Sequence, residues 1–347
     1  MKILVVGPTR YHYTRSTVDA IRSLGYEVDC LPKSSFYEDC SYIQRKLYKC
    51  GMVSLENKWN EKWEEVLFEK CIEIERASSD LPCLIVLGGA IPSKSALKRM
   101  AKFKKILCTW DSIRRGNEFP MERLRYFDKV QVFEAGDIDF LKKYNIEAQY
   151  MPVGYDDKVF YNRYLLKDID ISFVGMPSND RLNLLDNVAE YAEQNGFVLY
   201  VAGIWYDAKY IWKKYQFKKR HPKLYKCIDN RIISAHEAAN IYSRSKISLN
   251  VSIAEHKSIN PRAFEIMASN SCLFMNSGMK LRGMLTAGKD FVEFSDAGDM
   301  LSKLKNTLGN EKYRNNISIS GNDSVRDRFS LKKLYGDMLS EFGRIAD

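Results

Sequence analysis

At 347 residues the chain is too long for one ordinary hydrophobic core and suits two domains with a ligand-binding cleft between them. Its 45% hydrophobic and 28% charged content is that of a soluble globular protein, and no apolar run approaches the roughly 20 residues that span a bilayer. The net charge of +10 argues for an anionic partner, the eight cysteines without a C-x-x-C pair argue for reduced structural thiols, and the four unclustered histidines argue against a metal site.

The opening KILVVGPTR reads as a buried strand that ends in a turn at Gly7 and Pro8, with no secretory leader expected before it. STVDAIRSLGYEV predicts a helix ended by Gly25 and then a second strand. Residues 54–79 predict a long charged amphipathic helix, and CLIVLGG, KKILCTWDS and KVQVFEA three more buried strands. Strands alternating with helices in this way give a parallel, doubly wound sheet covered on both faces. The linker to a second domain falls near YMPVGYDDKVFYN, residues 150–162.

From residue 169 the pattern repeats: DISFVGMPSNDR, the helix RLNLLDNVAEYAEQNG, the strands FVLYVAG and KISLNVS, a helix from Pro261, and CLFMNS. VVGPTR and FVGMPSNDR open the two halves alike, each with Val-Gly, a proline and an arginine. Two tight strand-to-helix turns explain this as well as a shared phosphate-facing role for Gly7 and Gly175 does.

Between Tyr206 and Lys226 the chain carries Lys209, Lys213, Lys214, Lys218, Lys219, Arg220, Lys223 and Lys226 against one acid, Asp207. Trp205, Tyr206, Tyr210, Trp212, Tyr215, Phe217 and Tyr225 interleave with them. Three readings stay open: a segment lying on an anionic membrane, a stacking groove for nucleic acid, and a helix with a solvated basic face.

In INPRAFEIMASNSC, Asn260 is a good N-cap and Pro261 a good first helical residue, so free N–H groups at the helix tip favour an anion. Arg262 in the first turn adds a charge-assisted donor for phosphate. Arg262, Glu265 and Ser269 form a narrow polar stripe at i, i+3 and i+7, where a carboxylate can accept from two vicinal hydroxyls, as on a ribose. The alternative is an ion pair between Arg262 and Glu265, worth about 0.2–0.5 kcal/mol. Neither G-x-G-x-x-G nor G-x-x-x-x-G-K-[ST] is present, which removes the usual dinucleotide and P-loop readings.

DISFVGMPSNDR, KISLNVS, INPRAFEIMASNSCLFMN and FVEFSD, in that order, resemble the second domain of group 1-type glycosyltransferases. TWDS and the approach to the linker are similar to the spore-maturation CgeB-like subgroup, and the resemblance is best over residues 105–295. It implies a GT-B fold: an acceptor-side Rossmann-like domain over 1–155, a nucleotide-sugar domain over 156–328, and a terminal helix over 329–347 that packs back on the first domain. It further implies that Glu265 binds the donor ribose, that Gly175 and Arg181 sit at the diphosphate with Arg181 in place of a metal, and that backbone groups of Ile232 and Ile233 border the base.

Such enzymes commonly carry a glutamate eight positions before the ribose glutamate, where this chain has Lys257; Glu255 is near but off register. An inverting transfer needs a general base, for which His12 and Asp111 are the candidates; Arg10 faces the same end of the first domain. The expected activity is metal-independent transfer of a sugar from a nucleotide diphosphate donor to a glycan or lipid-linked acceptor, without a cofactor and without nucleic acid. A cytoplasmic enzyme attached peripherally to the membrane through Lys213, Lys214, Lys218 and Lys219 is expected. The alternatives are an epimerase or phosphorylase on the same fold, and a nonenzymatic basic binding protein.

Overall fold

The computed structural model describes residues 1–9, 12–115, 119–252 and 257–344. Arg10 and Glu255 lie outside them. The chain forms two compact units, residues 1–153 together with 334–347, and residues 154–333.

The first unit holds a parallel sheet of β1 (Lys2–Pro8), β2 (Glu27–Lys33), β3 (Cys83–Leu87), β4 (Lys104–Cys108), β5 (Lys129–Val132) and β6 (Gln149–Tyr150), in the order β2-β1-β3-β4-β5-β6. Every residue of β3 is buried, as a strand covered on both faces requires. Leu4, Val6, Leu84, Val86 and Leu107 pack against Leu67, Cys71 and Ile74 of the helix Ser54–Ala77. Each such buried side chain contributes about 1.5–3 kcal/mol. The chain returns to this unit through its last helix, Leu331–Arg344, where Tyr335 and Met338 are buried.

The second unit repeats the design with β7 (Ile169–Val174), β8 (Leu199–Ala202), β9 (Ile228–Asp229), β10 (Ser245–Asn250), β11 (Cys272–Asn276) and β12 (Val292–Phe294), all parallel, in the order β12-β11-β10-β7-β8-β9. Phe173, Leu249 and Phe274 meet Leu185, Val188 and Ala192 of the helix Asn179–Asn195. That helix starts at Ser178, whose hydroxyl accepts the Arg181 amide, and stops at Gly196 in the left-handed region at φ 70°.

Each sheet therefore reverses direction once, beside β1 in the first unit and beside β7 in the second. At such a switch point neighbouring loops diverge and leave a crevice at the carboxyl ends of the strands. The all-parallel pairing makes those ends coincide: the register sets Val174 opposite Asn250 in the second unit and Gly7 opposite Leu87 in the first.

All eight cysteines are free, and burial pushes the thiols of Cys71, Cys83, Cys108 and Cys272 up to about 12, so these four are inert packing groups. No helix among the described residues is long and apolar enough to cross a membrane.

Candidate functional site

The crevice of the second unit gathers Gly175, Arg181, Asn260, Arg262 and Glu265. After β7 the chain turns at Gly175, whose N–H donates to Ala202 O at 2.9 Å. A Cβ at Gly175 would stand 3.0 Å from the Phe173 ring and 3.4 Å from Arg262 Nη2, so the bare backbone lets the arginine approach.

Arg181 reaches back over this turn. Its Nε and Nη2 donate to Val251 O at 3.0 and 2.9 Å, and Nη1 to Met176 O at 2.9 Å. The fork thus ties the end of β10 to the loop after β7 and keeps only part of its donor capacity for a ligand. Burial first, and the neighbouring Arg262 second, pull its pKa down to about 10.

Asn260 caps the helix Pro261–Ala268 by accepting the Ala263 amide. Its amide exchanges two 3.1 Å hydrogen bonds with Asn250 and donates a third, also 3.1 Å, to Ser252 Oγ. Arg262, in the first turn, makes a long contact from Nη1 to Asn250 Oδ1 at 3.5 Å and also interacts with the Tyr242 hydroxyl. Its guanidinium and that of Arg181 lie 5.8 and 5.7 Å from the Phe173 ring centre. Two cations therefore share one aromatic support at the mouth of a capped helix, an arrangement that an anion stabilises.

Tyr242, fully buried, faces both Arg262 and Glu265; burial pushes its hydroxyl up and Arg262 opposes the shift. A Tyr242→Phe variant should weaken inorganic pyrophosphate binding about fivefold with stability changed by under about 1 kcal/mol, measured by calorimetry and urea unfolding.

The expected polar stripe of this helix differs in depth from its outcome. Glu265 is only 6% exposed and Ser269 is fully buried; Tyr242 of the helix Ala235–Arg244 lies beside Glu265, while the helix Glu311–Arg326 holds the far end, where Asn322 Nδ2 donates to Met267 O and Ala268 O at 3.0 and 2.9 Å. Asn260, Pro261 and Arg262 remain partly open at the tip. Lys257 is exposed ahead of the helix, and its carbonyl accepts from Lys280 N at 2.6 Å.

Ile232 and Ile233 follow the edge strand β9. Arg231 braces this segment by pairing with Asp229 and Glu237, Ile233 packs on Ile169, Ala202 and Ile241, and Ile232 is 79% exposed. Three residues that the sequence reading overlooked belong to the crevice: Phe173, Tyr242 and Asn250. Of these, Asn250 had a signal, since an amide closing the apolar strand KISLN requires partners.

Gly7, His12 and Asp111 belong to the first unit. A Cβ on Gly7 would meet Thr14 Oγ1 at 2.6 Å, so its missing side chain admits the helix Tyr13–Arg22 against β1. His12 stacks on Tyr13, ring centres 4.2 Å apart, and Tyr13 meets Trp110 edge-on at 5.8 Å. Asp111 follows Trp110, its Oδ1 accepting the Ser112 amide at 2.8 Å. Pro8 and Trp110 also close on Gly88, so the carboxyl ends of β1, β3 and β4 come together here. Behind them the buried Asp137 accepts from Ser112 Oγ, Ile113 N and Arg114 Nε at 2.7–2.9 Å, which fixes the loop that carries Asp111.

The basic stretch forms the helices Ile211–Arg220 and Pro222–Lys226. The charge excess read from the sequence is smaller in space, because Lys223 and Lys226 pair with Glu190 and Glu193 of the helix Asn179–Asn195, and Lys213 pairs with Asp207. Lys214, Lys218 and Lys219 have no ion pair among the described residues and flank the exposed Ile211, Trp212 and Tyr215. No group of three or more His, Cys, Asp or Glu that could hold a metal occurs among the described residues.

Residues 181–340 match a family model described as glycosyl transferase-like. No curated protein matches the sequence. Among solved structures, the chain resembles Anabaena HepE in complex with UDP-glucose at TM-score 0.67 and 10% identity, covering 99% of this chain and 100% of that one. It also resembles a glycosyltransferase from Rickettsia africae at 0.66 and 14%, covering 100% and 98%, and a sucrose-phosphate synthase from Thermosynechococcus elongatus at 0.64 and 13%, covering 99% of each. These likenesses show the fold, which is GT-B: two Rossmann-like units, with the terminal helix returning to the first. Together with the family match they support glycosyl transfer.

Proposed function

We propose that the protein is a metal-independent glycosyltransferase that takes a sugar from a nucleoside diphosphate donor and places it on a hydroxyl of a glycan or lipid-linked acceptor. The observation that carries this reading is the pair of guanidinium groups, Arg181 and Arg262, at 5.7 and 5.8 Å from the Phe173 ring centre beside a capped helix tip. Neighbouring half-buried like charges are unfavourable when the crevice is empty, and a diphosphate offsets both. The same charges stabilise the diphosphate as it leaves, when the bond from its oxygen to the anomeric carbon breaks and the acceptor oxygen bonds to that carbon.

In this reading Glu265 accepts hydrogen bonds from the donor ribose, the backbone at Ile232 and Ile233 borders the base, and His12 or Asp111 takes the acceptor proton. Because HepE was solved with UDP-glucose, UDP is the first nucleotide to test. The resemblance of TWDS and the linker approach to the CgeB-like subgroup supports placing the protein near that subgroup. Lys214, Lys218 and Lys219, with Trp212 and Tyr215, fit contact with anionic lipid on the cytoplasmic face of a membrane, where a lipid-linked acceptor resides.

A screen of UDP, GDP and dTDP by thermal shift tests the reading. One of them should raise Tm by about 2–5 °C at saturation, and none should act through bulk ionic strength. Glu265→Gln should then weaken that nucleotide about 10- to 100-fold while leaving inorganic pyrophosphate binding unchanged, because pyrophosphate has no ribose. Equal loss for both ligands would remove the ribose role, and no shift with any nucleotide would remove the donor site.

A further inference from the structure

The helix Tyr42–Lys49 of the first unit has no buried residue, although its apolar residues are patterned on one face. Ile43 and Leu47 stand at i and i+4, 70% and 39% exposed, and the chain continues through Gly51 into Met52 and Val53, both also exposed. Solvated apolar side chains in such a group mark an interaction surface rather than ordinary scatter.

Residues 40–55 contain no acid; their charges are Arg45, Lys46 and Lys49. Arg45 Nε donates to Cys40 O at 3.3 Å, Lys46 Nζ lies 4.8 Å from the Tyr42 ring, and neither Lys46 nor Lys49 has an ion pair among the described residues. The helix is held firmly from behind. Ser41 and Gln44 form a capping box, the Tyr48 hydroxyl donates to Glu56 at 2.7 Å, and the Tyr48 ring packs on Phe36 and Tyr37 at 5.3 and 5.4 Å.

We propose that the helix Tyr42–Lys49 and the turn to Val53 form an interfacial element that seats the first unit on anionic lipid. Ile43, Leu47, Met52 and Val53 enter the headgroup–acyl boundary, while Lys46 and Lys49 meet lipid phosphates. A second copy of the chain is a poor occupant, because its own net charge of +10 opposes a basic face. The inference rests on the lipid-linked acceptor of the proposed function and adds a contact remote in sequence from Lys214–Lys219.

Hydrogen exchange of the full chain, with and without vesicles, decides it. Amides of residues 42–53 should slow by about tenfold or more with phosphatidylglycerol-containing vesicles and not with phosphatidylcholine alone. The double variant Ile43→Ser, Leu47→Ser should co-sediment with those vesicles about tenfold more weakly and keep the wild-type thermal shift with nucleotide. Unchanged exchange at 42–53 overturns the inference, and protection confined to 211–220 does so while leaving the lysine patch as the membrane contact. Protection that appears without lipid and rises with protein concentration also overturns it, in favour of self-association. The nucleotide shift is read separately, so a failed donor site is not mistaken for a failed lipid contact.

Discussion

Replacing Arg262 by alanine should lower nucleoside diphosphate affinity by about 100-fold or more, equivalent to about 3 kcal/mol or above, without lowering the Tm of the unliganded protein. The asymmetry follows from what each arginine does in the empty crevice. Arg262 makes a 3.5 Å contact with Asn250, interacts with the Tyr242 hydroxyl and sits beside a like charge. Its removal gives up those contacts but relieves repulsion on Arg181, so the two effects offset in the empty crevice. Arg181 donates three bonds to Val251 O and Met176 O, so Arg181→Ala should lower Tm as well as affinity by leaving those carbonyls short of donors. Calorimetric titration with UDP and differential scanning of both variants separate the roles. Wild-type affinity in Arg262→Ala would mean that the diphosphate binds elsewhere.

The crevice could be found from sequence because its landmarks are local. A strand followed by Gly175, and Asn260-Pro261 opening a helix, are signals carried within a few residues, and both mark the same switch point. What the sequence could not carry was depth. Arg262 and Glu265 are three residues apart on one stripe, yet Arg262 stays partly open while Glu265 is buried beside Tyr242, which comes from a helix more than twenty residues earlier. The basic stretch shows the same limit: all its lysines looked unopposed, while Glu190 and Glu193 reach Lys223 and Lys226 from a helix over thirty residues earlier. Asn250 and Tyr242 act only through neighbours brought together by the sheet order, so no periodicity reports them.

Gly203→Ala should destabilise the second unit by about 2–4 kcal/mol and weaken nucleotide binding at least about tenfold. Gly203 follows β8 at φ 134°, a backbone conformation that L side chains rarely adopt, and its N–H donates to Asp229 O at 3.2 Å. A Cβ there would fall 2.1 Å from the Gly175 carbonyl oxygen, so Gly175 must retreat. That retreat disturbs the turn at which Gly175 lies against Phe173 and Arg262, and a stability defect becomes a binding defect. Gly196→Ala is the control, because Gly196 is also left-handed at φ 70° but a Cβ on it would touch nothing within 4 Å. Strain alone should cost that variant about 1 kcal/mol and leave nucleotide affinity at the wild-type value. Urea unfolding gives the first quantity and titration the second. Equal stability losses in the two variants, with affinity intact in both, would show that the close contact of Gly203 with Gly175 has no part in the donor site.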